Sequence, residues 1–181
     1  EELLEYLVST ESNQQSAEQI YLLLFELWRR YLKEERPISV FCDELDHLIE
    51  KYDGGDPEVA DDLYHELASL SDIFDESVTE EQSSGEVYAF ISSLLAHDLS
   101  SFLYDFIGDL IDNQNDEAAS ELIEGFIPYI PNPMGLEFLR LKIITADDAM
   151  DTERMVTRFG DRIVEEEAGD IGVDFLSFLL H

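Results

Sequence analysis

The stretch DLSSFLYDFIGDLIDNQNDEAASELIEGFIPYIP, residues 98–131, decides the fold class. It reads as two helical segments, about 98–112 and about 117–129, with the polar run Asn113-Gln114-Asn115-Asp116 between them. Its apolar residues recur at helical spacing, and the last residues of the polar run can cap the second segment. Pro128, Pro131 and Pro133 close that segment, because proline lacks the N–H that a helix interior needs. There is no alternation of β-branched residues and no Asn-Gly turn, the marks of a strand hairpin. Helices joined by so short a turn lie antiparallel. A helical hairpin is therefore expected.

The same punctuation extends in both directions. Upstream, helices are expected over 1–8 and 13–35, the second with Ile20, Leu23, Leu24, Leu27 and Tyr31 on one face and Pro37 at its end. A third starts at Ser39, buries Phe41, Leu45, Leu48, Ile49 and Tyr52, and stops at Gly54-Gly55. Asp56-Pro57-Glu58 combines an N-cap, a proline at the first helical position and an acid in the first turn. The helix it opens carries Val59, Leu63, Leu67, Leu70 and Phe74. Residues 75–86, polar and containing Ser83-Ser84-Gly85, form a loop or a subdomain break, and a helix follows over 86–96. Downstream, Asn132-Pro133 opens a helix over 134–144. Asp147 or Asp151 caps the next, which ends at Ala168-Gly169, and Asp170 caps the last.

The sum is one all-α domain over 1–181 with about nine or ten helices. It is either an irregular helical bundle or a stack of antiparallel helical hairpins. From Asp98 the hairpins recur roughly every 36 residues, near the period of helix-turn-helix arrays. The hairpin over 100–131 loosely resembles a tetratricopeptide unit, with Ala119 and Pro131 at that family's separation. It departs where Gly108 is displaced by one place and where bulky Phe126 replaces a small residue. That resemblance covers about a sixth of the chain at two positions and assigns no family. The missing initiator Met, and an apolar pattern that runs to the C-terminus, suggest part of a longer chain.

The charge balance narrows the function classes. The chain has 43 acids and 10 bases, a net charge of −33, and from Tyr52 to Glu137 it has 21 acids and no Lys or Arg. It is also 45% hydrophobic, with 11 Phe and 8 Tyr, so it is no disordered acidic tail. An acidic shell around a packed core repels phosphate and anionic lipid and attracts basic proteins. No direct nucleic-acid binding and no membrane binding are therefore expected. Salt adaptation and plain solubility are the other sources such a shell can have. The single Cys42 excludes an internal disulfide and fits a reducing, cytoplasmic setting.

Three constellations bear on chemistry. Glu44 with His47, and Asp62 with His65, are acid–histidine pairs at i, i+3 that could ligate a metal between two helices, with Glu26 adding a ligand. In so acidic a chain such pairs arise by chance, and the histidines read as surface residues; no metal or cofactor is expected. Cys42 reads as a buried, unreactive thiol, because acids flank it. Arg154, Arg158 and Arg162 form a ridge beside Met155, Phe159 and Ile163, with Arg140 and Lys142 nearby. That ridge pairs with Glu165, Glu166 or a neighbouring helix, or else docks a carboxylate or a second copy of the acidic shell.

The leading expectation is a non-enzymatic protein–protein interaction module. An acidic helical adaptor or chaperone would bind a basic and partly apolar protein or peptide. Asp98, Asp105, Asp109, Asp112, Glu121 and Glu124, with Arg154, Arg158 and Arg162, are the expected partner-binding residues. Phe25, Tyr88, Tyr104, Phe138 and Phe178 are candidate aromatic anchors. One alternative is an inhibitor whose carboxylates mimic nucleic-acid phosphates; another is a metal-binding bundle on the two acid–histidine pairs. Self-association is compatible with the segregation of bases into two stretches, 29–51 and 140–162.

Overall fold

The computed structural model describes residues 37–79, 82–145, 149–166 and 168–180. The helices expected over 1–8 and 13–35 lie outside the described residues, with Phe25, Glu26 and the Asp147 cap. The described residues form eight helices and no strand, so the chain is all-α as expected. In order they are α1 (Ile38–Asp53), α2 (Ala60–Ser77), α3 (Ser84–Ser92), α4 (Leu99–Asp112), α5 (Asp116–Phe126), α6 (Met134–Thr145), α7 (Ala149–Glu165) and α8 (Gly169–Leu179). None of them is long and apolar enough to cross a membrane. A division falls inside α1, between the compact units Glu1–Phe41 and Cys42–His181. The 75–86 segment lies within the second unit, to which the rest of the description applies.

Local chemistry sets the helix ends. The Asp56 side chain accepts from the Glu58 N–H at 3.1 Å, and the 3-10 turn Pro57–Val59 leads directly into α2. Ser83 and Glu86 form a reciprocal capping box, which starts α3 two residues earlier than expected. Asp98 caps α4 by accepting from the Ser101 N–H at 2.7 Å. The α4–α5 turn places Gln114 at φ 62°, in the left-handed region. Asn115 is the N-cap of α5 without a side-chain cap bond, and Asp116 falls in its first turn. Asp170 likewise falls in the first turn of α8, whose N-cap is Ala168.

The apolar pattern sets the packing. The expected stripe of α2 is buried at Leu63, Leu67, Leu70 and Phe74, and α2 packs on α5. The Phe74 ring meets Phe126 edge-on at 5.8 Å and stacks on Tyr129 at 4.9 Å. Helix α6 is apolar on nearly every side, burying Met134, Leu136, Phe138, Leu139 and Leu141. A helix of that kind belongs inside, and α6 touches α4, α5, α7 and α8. Helices α4, α6 and α8 thus follow one another in a row, the arrangement of stacked helical hairpins. Phe138 anchors the C-terminal core, stacked on Phe159 at 5.8 Å and edge-on to Phe175 at 6.1 Å. Cys42 is fully buried. No polar or charged residue is fully buried among the described residues.

Asp46 differs from the exposed acids Asp43, Glu44, Glu50 and Asp53 of α1: its side chain is 13% exposed, and it holds the loop between α3 and α4. Its carboxylate accepts from the Ala96 N–H at 2.8 Å, the His97 N–H at 3.3 Å and the His97 ring at 2.8 Å. Backbone donors that no helix could satisfy are met by one side chain fifty residues away.

Candidate partner-binding groove

Helix α4 buries Leu99, Phe102, Leu103, Phe106 and Ile107. Spacing of three and four then puts Asp105, Gly108, Asp109 and Asp112 together on another face. These residues form one wall of a groove of about 540 Å³. Phe138, Leu139 and Lys142 of α6 and Asp174, Ser177 and Phe178 of α8 complete it. A second lobe of about 410 Å³ continues toward the start of α4, lined by Ser100, Ser101, Asn132, Gly135, Leu136 and Ile171. Tyr104, Asp105 and Asp174 belong to both lobes.

Tyr104 spans the boundary, donating its hydroxyl to Asp174 at 2.7 Å. Burial, this hydrogen bond and the charges of Asp174 and Asp105 all push its phenol above the ordinary tyrosine value. Gly135 permits the arrangement, because a Cβ there would lie 3.1 Å from the Tyr104 ring. Asp109 accepts the Tyr52 hydroxyl at 2.7 Å, which ties α1 to the acidic wall. Lys142 brings one cation inside, 3.8 Å from Asp112. The groove therefore has four carboxylates around a largely aromatic floor.

The expected site residues separate into groups. Asp105, Asp109 and Asp112 line the groove, whereas Asp98 is occupied as the α4 cap. The Ser101 backbone N–H holds the Asp98 carboxyl below its ordinary value. Glu121 accepts the Tyr64 hydroxyl at 2.5 Å, and Glu124 pairs with Arg140 at 3.0 Å. Of the aromatics, Tyr104, Phe138 and Phe178 meet in the groove, although Phe138 is a core residue that contributes its floor. Tyr88 lies elsewhere, stacked on Phe74 and hydrogen-bonded to Ser100 at 2.5 Å.

Arg162 pairs with Glu137 at 2.7 Å and with Glu166 at 3.2 Å, and these bonds, Glu137 first, hold its pKa above the ordinary value. Arg158 lines a separate groove of about 440 Å³ with Arg140, Arg162 and Glu137 over Leu141, Ile144, Met155 and Phe159. Arg154 is exposed on α7. Glu44, His47, Asp62 and His65 are all exposed, with His47 facing Glu50 at 4.0 Å and the His65 ring against Tyr64. Among the described residues no three His, Cys, Asp or Glu side chains gather as a metal-ligand group.

Sequence reasoning missed Asp174 and grouped Lys142 with the basic ridge, because only the packing of α4, α6 and α8 brings them to the α4 stripe. It also missed the tyrosine–carboxylate ties, whose partners lie 54 to 70 residues apart. Compared with known protein families, curated proteins and solved structures, the chain has no significant match. The reading of the groove rests on its own chemistry.

Proposed function

We propose that the chain is a non-enzymatic interaction module whose α4–α6–α8 groove receives a basic and partly apolar segment of another protein, as in an adaptor or chaperone. One observation carries this reading. Asp105, Asp109, Asp112 and Asp174 stand around Tyr104, Phe138 and Phe178 in a single concave site. Apolar rings in a hollow supply the affinity of a docking site, and like-signed charges around them select and steer a partner of opposite sign. The buried single thiol suits a cytoplasmic setting for such a module.

The test is binding of a basic, leucine-containing peptide to the full chain by fluorescence anisotropy. Replacing Asp105, Asp109 and Asp112 together by Asn should weaken binding by about tenfold or more, taking roughly 0.5–1 kcal/mol for each exposed charge pair. Unchanged affinity in this triple variant would remove the groove from the reading. The same titration addresses the charge-mimic alternative, which exposed carboxylates on every helix except α6 keep open. A nucleic-acid mimic should lose its target by orders of magnitude as salt rises, while an aromatic-anchored partner should keep most of its affinity.

A further inference from the structure

We infer that the occupant of this groove is an amphipathic helix with Lys or Arg at alternating three- and four-residue intervals. The inference rests on the reading just proposed and specifies the form of its partner. On either side of the Tyr104–Asp174 bond the two lobes together follow α4 from Ser100 to Asp112, a rise of about 18 Å or a little over three helical turns. Along that wall, Asp105 to Asp109 is a rise of about 6 Å and Asp109 to Asp112 about 4.5 Å. Cations at i, i+4 and i+7 of a helix alongside match both intervals. An extended strand repeats its side chains about every 6.7 Å on one face, so over three cations it drifts about 3 Å out of step with the same carboxylates.

The walls argue the same way. The long walls are helices, with the Asn132 loop closing one end, so the groove offers no sheet edge to an extended backbone. An extended segment would enter with N–H and C=O groups unmet, whereas a helix brings its own satisfied. A channel between packed helices is also the shape into which the side-chain ridge of a further helix fits. Lys142 already occupies part of this pattern. Its ammonium stands 3.8 Å from Asp112 within the groove, so the chain itself places a cation at one of the three positions. The other lobe is uncharged on its Ser100, Ser101, Asn132 and Leu136 side. The matching helix therefore has a basic part and a neutral, apolar part in succession.

The experiment compares three synthetic peptides of about 18 residues, roughly 27 Å as helices, on the full chain at ~0.15 M salt. The first has arginines at i, i+4 and i+7 with leucines on the adjoining stripe. The second has the same composition and helicity with the arginines dispersed around the helix. The third repeats the first with a central proline that breaks it. The first should bind at least about tenfold tighter than either control, and Asp105→Asn with Asp109→Asn should erase that difference. Equal binding of all three overturns the helical form and leaves a basic partner standing. No binding by any of them overturns the groove reading and this inference together.

Discussion

Tyr52, Tyr64, Tyr104 and Tyr129 each donate a hydroxyl to a carboxylate on a helix distant in sequence: Asp109, Glu121, Asp174 and Asp75. A chain with 10 bases among 43 acids cannot tie its helices with ion pairs alone. A neutral phenol is the donor left to it, and a bond to an ionised acceptor is among the stronger ones. The consequence is an alkaline limit. The Glu121 bond, with burial, pushes Tyr64 up to about 12; burial, with the accepting carboxylate, pushes Tyr129 up to about 12 and pushes Tyr52 and Tyr104 up as well. Below about pH 10 both folded and unfolded chains keep their phenolic protons, and the ties contribute fully. Above it the unfolded chain releases protons that the folded chain retains, so stability falls as pH rises. Urea midpoints should therefore drop steadily from about pH 10 upward, while tyrosinate absorbance of the folded protein lags behind that of free tyrosine. Tyr129→Phe keeps the ring on Phe74 and removes only the bond to Asp75. It should cost about 1–2 kcal/mol in urea denaturation at neutral pH and flatten the alkaline decline. At the groove, Lys142→Met should tighten binding of the basic helical peptide several-fold, about 1 kcal/mol, by opening Asp112. Weaker binding would mean that Lys142 holds the wall in place.

At the scale of helices, two glycines make opposite predictions. Gly125 of α5 faces α2 so closely that a Cβ there would lie 2.4 Å from Ser71 Oγ and 3.1 Å from Ser71 Cβ. Gly125→Ala should destabilise by about 1 kcal/mol despite the better helix propensity of Ala, because overpacking costs more than propensity returns. In a Ser71→Ala background part of that cost should vanish, which a double-mutant cycle in denaturant reads directly. Gly108, in the groove wall, has nothing within 4 Å of a built Cβ. Gly108→Ala should stabilise by about 0.5–1 kcal/mol, and Gly108→Leu should block the peptide while the fold persists. The contrast also marks what was legible beforehand. Both glycines sit inside sequences that read as helix, and periodicity alone cannot say which one faces a neighbour. The same holds for α6, which is recognisable as a helix, although its place between α4 and α8 follows only from tertiary packing. Caps such as Asp56-Pro57 could be read because cause and effect lie within three residues. The α4 carboxylate stripe could be read for the same reason. The opposite wall could not, since Asp174 belongs to a helix some sixty residues further on.

At the scale of the molecule, charge acts on stability and on binding with opposite signs. Exposed carboxylates occur on every described helix but α6, so the acidic shell is not confined to the groove. At −33 its net effect on the compact chain is self-repulsion. Repulsion between solvent-exposed charges is long-ranged and is therefore what salt removes first. Going from ~0.1 M to ~1 M shortens the screening length from about 10 Å to about 3 Å, below the spacing of most surface carboxylates. The tyrosine ties and the stacked rings of the core operate at contact and lose much less. Stability should therefore rise with sodium chloride, by about 1 kcal/mol or roughly 3 °C in melting temperature for a chain of this size. Peptide affinity should fall over the same range, because the charges that repel one another across the shell attract the partner's cations in the groove. The fall should stay within about tenfold if the rings of Tyr104, Phe138 and Phe178 carry the binding, against a thousandfold or more for purely electrostatic contact. Calorimetry and anisotropy on one salt series measure both slopes. If the melting temperature falls with salt, self-repulsion is not the dominant force. If affinity collapses while the protein grows more stable, the aromatic floor contributes little, and the shell acts on its partner through charge alone.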